Sequence, residues 1–166
     1  MKISKYAITL LLLSILLTSC EKDNNIDKEK PLIDLSLPDA FPNNCDTFYF
    51  GEPITFKALF SDNVELGSVK AFSIDIHHNF DHHSHSTEVS DCNPDPKKAP
   101  VNPFVFIQDY DIPAGLKEYE TNLSVTIPAE NSSGVFDEGE YHFLVSLTDK
   151  EGWSTQKGIS IKILHR

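Results

Sequence analysis

From Pro31 onward the apolar residues of this chain recur at a spacing of two, in short runs broken by Pro, Gly, Asn and Asp. A period of two is the signature of half-buried strands, because successive side chains leave a strand on opposite faces. The clearest case is Tyr141, Phe143, Val145 and Leu147, which alternate with His142, Leu144, Ser146 and Thr148. Similar runs at 32–37, 54–60, 69–77, 104–110, 123–127 and 158–164 complete a set of seven predicted strands, A to G, with F at 141–147. No stretch carries a convincing amphipathic helix. An all-β chain of this kind buries its strands as a sandwich of two antiparallel sheets.

Gly139-Glu140-Tyr141 resembles the tyrosine corner of immunoglobulin-like domains. That points to an immunoglobulin-like antiparallel β-sandwich of about seven strands, in which C and F are neighbours. In that order C ends at the pole where F begins and G ends. His77, His78, His142 and His165 are then gathered at one pole, with Cys45 in the A–B loop beside them. His77 and His142 share an outward register with Asp75 and face each other across two strands.

The N-terminus is of a different kind. Lys2 and Lys5 precede an apolar run at 7–17 and then Leu17-Thr18-Ser19-Cys20, the layout of a signal peptide. The run is too short for a permanent span, which needs about 20 residues. Its end looks like the lipobox of bacterial lipoproteins, so residues 1–19 are expected to be removed and Cys20 to be lipid-modified. Two or more acyl chains there would anchor the protein stably. Residues 20–30 are charged and polar and read as a flexible tether; residues 31–166 form the domain. Cys20-Glu21-Lys22-Asp23 resembles an acidic export signal for the outer leaflet, which gives an expected location on the outer membrane of the cell envelope, exposed at the surface. The formal net charge is −11, and loss of Lys2 and Lys5 makes the mature chain more negative. Nucleic acid, whose binding rests on cationic side chains, is therefore excluded as a partner.

With Cys20 consumed, Cys45 and Cys92 remain of the three cysteines. An even pair in an exported protein points to a disulfide; free thiols or metal ligation are the alternatives. The closed loop of about 48 residues would contribute ~4 kcal/mol in the chain-entropy model.

Between C and D the sequence runs His77-His78-Asn79-Phe80-Asp81-His82-His83-Ser84-His85 and continues past Cys92 to Asn102. A connection of this length is uncommon in a compact domain. Packing does not ask for five adjacent imidazoles, since each buried ring must find polar partners. Imidazole is the commonest metal ligand, and tracts rich in it read as metal binding. The candidate ligands are His77, His78, His82, His83, His85 and His142, with Asp75 and Asp81 as carboxylates that orient them. With no methionine left after cleavage and the cysteines paired, Zn²⁺ leads, followed by Cu²⁺ and Ni²⁺. A solvated loop with incidental metal affinity and a pH-sensing loop are the competing readings.

Asp62-Asn63 and Asp149-Lys150-Glu151-Gly152 belong to the opposite pole. Two short clusters fall short of the six to eight oxygens Ca²⁺ wants, so turn formation is the expected role. Trp153 is expected in the core. The sequence has no His-Glu-x-x-His, no Gly-x-Ser-x-Gly and no phosphate-binding glycine loop, so no enzyme is expected.

The signal tail, the charged spacer, Asp62-Asn63 and above all the stretch from Ile74 to His85 resemble a family of lipoproteins, mostly from Bacteroidota, catalogued as domain of unknown function 4625. The resemblance implies an immunoglobulin-like domain on the envelope and brings no activity. The expected function is binding of a divalent transition metal for scavenging or delivery. The alternative is a structural or adhesive module that meets an envelope protein or glycan.

Overall fold

The computed structural model describes residues 27–81, 92–93 and 95–166, and every regular element among them is a strand. In chain order these are β1 (Leu32–Asp34), β2 (Thr47–Tyr49), β3 (Pro53–Phe56), β4 (Leu59–Ser61), β5 (Phe72–His78) and β6 (Phe106–Tyr110). There follow β7 (Glu118–Glu120), β8 (Leu123–Thr126), β9 (Glu130–Asn131), β10 (Gly134–Val135), β11 (Gly139–Thr148) and β12 (Ser154–Leu164). The expected sandwich is present, with more and shorter strands than the seven read from the sequence.

One layer is a five-stranded sheet in the order β2-β12-β11-β5-β6; the other is formed by β1-β4-β7 and β3-β8. Strand B of the sequence reading is split into β3 and β4, and the chain opposite is split into β7 and β8. The reason is Thr121, whose buried Oγ1 accepts the Ala58 N–H at 2.9 Å while its own N–H donates to the Ala58 carbonyl oxygen. Lys57 meanwhile exchanges backbone bonds with Phe41. The ladder is thus interrupted with its polar groups still paired.

The alternation in β11 does what its period requires: Tyr141, Phe143, Val145 and Leu147 are buried toward the other layer. Aromatic side chains join the two layers, with Phe56 against Phe143 at 5.7 Å and Phe60 edge-on to Phe72 at 5.0 Å between ring centroids. Burial of each such ring is worth about 1.5–3 kcal/mol, so this seam contributes substantially to stability. The Tyr141 hydroxyl donates to the Asp137 carbonyl oxygen and accepts from the Phe104 N–H, the bonding of a tyrosine corner.

Three expectations are corrected. Strand C starts at Phe72, since Val69 is 79% exposed and Lys70 has a positive φ of 50°. Strand G starts four residues earlier than Gly158, because hairpin pairing with β11 carries it back to Ser154. Trp153 is 42% exposed and lies outside the core; its indole N–H donates to the Asp27 carbonyl oxygen at 3.0 Å.

The topology sets two poles. At one, β5 ends, β11 begins and β12 ends. At the other, β4 and β11 end and β1 begins, with Leu66 bridged to Asp149.

Candidate metal centre

β5 and β11 are antiparallel neighbours in a register that sets His77 directly opposite His142 and Asp75 opposite Leu144. Strand alternation puts Asp75, His77 and His142 on the outward face, as expected from the sequence. The two imidazole centroids are 5.2 Å apart. His77 Nδ1 donates to Asp75 Oδ1 at 2.9 Å, which turns the ring and leaves Nε2 as the nitrogen that would meet a metal. His142 is fully buried, although its register is the outer one.

Burial on an outer face requires cover, and the described parts of the connection between β5 and β6 are bonded to this end of the sheet through Cys92 and Asp95. Cys45 and Cys92 form the expected disulfide, with Cα atoms 5.4 Å apart. The Cys45 N–H donates to the Ser160 carbonyl oxygen, and Ser160 is paired with His142. Beyond Cys92, the Asp95 N–H donates to Glu140 Oε1 and Asp95 accepts from Lys162 Nζ at 2.6 Å. The Lys98 N–H donates to the Phe80 carbonyl oxygen. Asp137 Oδ2 then accepts the N–H groups of Val101 and Asn102. Both ends of the histidine-bearing connection are therefore tied to the pole. Asp95, Glu140 and Lys162 were not singled out in the sequence, where isolated charges carry no signal of a bond that spans 45 or 67 residues.

The remaining candidates are distributed as follows. His78 has the alternate register, opposite Tyr141, and its ring packs on Phe80 at 5.1 Å. It does not share a face with the His77–His142 pair, because adjacent residues of a strand point to opposite sides. Asp81 lies 3.9 Å from His78 Nδ1 and so accompanies His78. His165 is at the same pole but committed elsewhere: its Nε2 is 2.7 Å from the Phe136 carbonyl oxygen and its ring stacks on Phe50. His82, His83 and His85 lie outside the described residues, as do the signal peptide, Cys20 and the tether up to residue 26. Among the described residues, the histidine pole brings two imidazoles and one orienting carboxylate together.

At the other pole the acidic residues make the turns expected of them. Asp62 Oδ1 accepts the N–H groups of Val64 and Glu65, and Asp149 Oδ1 those of Gly152 and Trp153.

A family model described as Domain of unknown function (DUF4625) matches residues 18–164. No curated protein matches the chain. Among solved structures, it is similar to Spo0M, the sporulation control protein from Bacillus subtilis, with a TM-score of 0.42 and 14% identity over 85% of this chain. The similarity takes in 51% of that chain, so this protein spans about half of its length.

Proposed function

This chain belongs to the DUF4625 family, and we propose that it is a lipid-tethered protein of the bacterial cell envelope that binds a divalent transition metal at its histidine pole. Binding, for scavenging or delivery, is its proposed role; catalysis is not. The observation that carries the reading is the pairing of His77 with His142 across adjacent strands, with Asp75 fixing the His77 ring. Two nitrogens on one tetrahedral zinc, each bonded at ~2.1 Å, stand about 3.4 Å apart. Rings with centroids 5.2 Å apart can present such a pair. A rigid sheet sets those two ligands before the metal arrives, and pre-set ligands cost less ordering entropy on binding.

The other ligands would come from His82, His83 and His85, on a connection tied down by the Cys45–Cys92 disulfide. Such a set of imidazoles with carboxylate support favours Zn²⁺, then Cu²⁺ and Ni²⁺. An anchor on Cys20 would leave the domain attached near the start of β1, with the histidine pole at the far end.

Calorimetric titration of the purified protein with Zn²⁺ tests this. One ion should bind with micromolar or tighter affinity, weakened at least ~10-fold by His77→Gln and again by His82→Ala with His83→Ala. Weak, nonstoichiometric binding indifferent to these changes would instead favour a structural module that meets a protein or glycan.

A further inference from the structure

At the pole where β1 begins, three carboxylates from three distant segments meet. Asp27 precedes β1, Asp62 follows β4 and Asp149 follows β11, and ligand oxygens of the three lie within 4.8 Å of one another. Asp27 and Asp149 are only 5% and 3% exposed.

In each residue the two oxygens have different fates. The Oδ1 atoms are occupied: that of Asp27 accepts from the Glu29 N–H and from Asn63 Nδ2, both at 3.0 Å, and those of Asp62 and Asp149 accept the turn N–H groups already described. All three Oδ2 atoms are buried and, among the described residues, have no hydrogen-bond partner. Turn formation accounts for one oxygen of each carboxylate and leaves the other unexplained.

Like charges held this close repel, and a buried carboxylate oxygen without a partner carries an uncompensated desolvation cost. The surrounding contacts nevertheless hold the arrangement in place. The Trp153 indole N–H donates to the Asp27 carbonyl oxygen at 3.0 Å. The Gly67 N–H donates to the Thr148 carbonyl oxygen, where a Cβ on Gly67 would come within 2.6 Å of that atom. Lys150 bridges back to Glu65 at 2.6 Å. A framework that holds three anionic oxygens together, two of the carboxylates deeply buried, suits a cation. The three side chains present oxygen alone, which selects a hard ion; Ca²⁺ accepts irregular oxygen shells completed by water, whereas Mg²⁺ demands a near-ideal octahedron.

We propose that Asp27, Asp62 and Asp149 form a calcium site that fastens the segment preceding β1 to the sandwich. Calcium would reinforce three stretches of chain that are linked, among the described residues, by the Leu66–Asp149 bridge, by the hydrogen bonds of Asp27 to Asn63 and Trp153, and by the Lys150–Glu65 ion pair. The site does not depend on the zinc reading. Its consequence for how the domain hangs from a membrane does rest on the lipid-anchor reading.

Trp153, the chain's single tryptophan, makes the test specific. Full-length protein stripped with EGTA is titrated with Tb³⁺ and its emission excited through Trp153, and Ca²⁺ is then added as competitor. Expected are a sensitised signal that saturates near one equivalent, displacement by Ca²⁺, and a Ca²⁺-dependent rise in Tm of ~4 °C or more near saturation. Asp27→Asn and Asp149→Asn each keep an acceptor at Oδ1 and replace the unpartnered oxygen. Each should weaken Ca²⁺ at least ~10-fold while leaving the Tm of the stripped protein unchanged or higher. Should Asp149→Asn not fold, Asp27→Asn, outside every strand, decides alone. His77→Gln should leave the Tb³⁺ signal intact, so failure at one pole is distinguishable from failure at the other. No Ca²⁺ effect on Tm up to about 10 mM, beyond the millimolar range of weak extracellular sites, or equal Tb³⁺ signals in wild type and both variants, would overturn the proposal.

Discussion

His77 and His142 stand directly opposite each other on neighbouring antiparallel strands, and Asp75 holds the His77 ring through Nδ1 at 2.9 Å. Asp75→Ala should therefore loosen the ring without opening the core. Zinc affinity is expected to fall about 10- to 100-fold, the usual cost of losing a carboxylate behind a ligating histidine. Calorimetric titration and a urea melt on the same sample separate that loss from a general loss of stability, which should be small.

The Cys45–Cys92 bridge closes a long loop and ties the end of the histidine connection to the strand beside His142. Replacing both cysteines with serine is expected to cost about 2–4 kcal/mol in urea denaturation. It should also weaken zinc more than Asp95→Asn does, because Asp95 shares its hold on the connection with several other bonds.

Tyr141 is fully buried and its hydroxyl both donates and accepts. Burial lifts this phenol above its ordinary range, so it stays a protonated donor throughout neutral pH. Tyr141→Phe removes the hydroxyl and leaves the Asp137 carbonyl oxygen and the Phe104 N–H each short of a partner. A loss of about 1–3 kcal/mol is expected from denaturant titration, with zinc affinity unchanged.

Lys57 lies between Asp39 and Glu120, and these hydrogen-bonded carboxylates raise its pKa while Lys57 lowers that of Asp39. An acid whose folded pKa is lowered contributes stability above its ordinary value, here 3.8, and loses it as pH falls through the folded value. A base whose folded pKa is raised contributes below its ordinary value, here 10.5, and loses it as pH rises through the folded value. The Tm advantage of wild type over Asp39→Asn should accordingly be small and flat across neutral pH, and shrink at both extremes.

Much of this was legible from local pattern. The alternation from Tyr141 to Leu147 assigns His142 to the outer face, and β5 as its neighbour then puts His77 and Asp75 beside it. What was not legible depends on contacts between distant residues. Thr121 breaks two strands by replacing a ladder bond with its side chain, and nothing in its neighbours announces this. β2 pairs parallel to β12 over three residues, too few to show a period. Asp27 sits in a charged stretch with the composition of a solvated tether, and its fixed place comes from bonds to Asn63 and Trp153, 36 and 126 residues away. A large aromatic residue such as Trp153 is expected in the core; its indole N–H instead bonds the segment before β1.

The most direct test is X-ray absorption at the zinc edge of the protein loaded with one equivalent. Expected is a first shell with at least two imidazole nitrogens at ~2.0–2.1 Å, reduced by one in His77→Gln. A shell made wholly of oxygen, unchanged by that substitution, would contradict a metal centre built on His77 and His142.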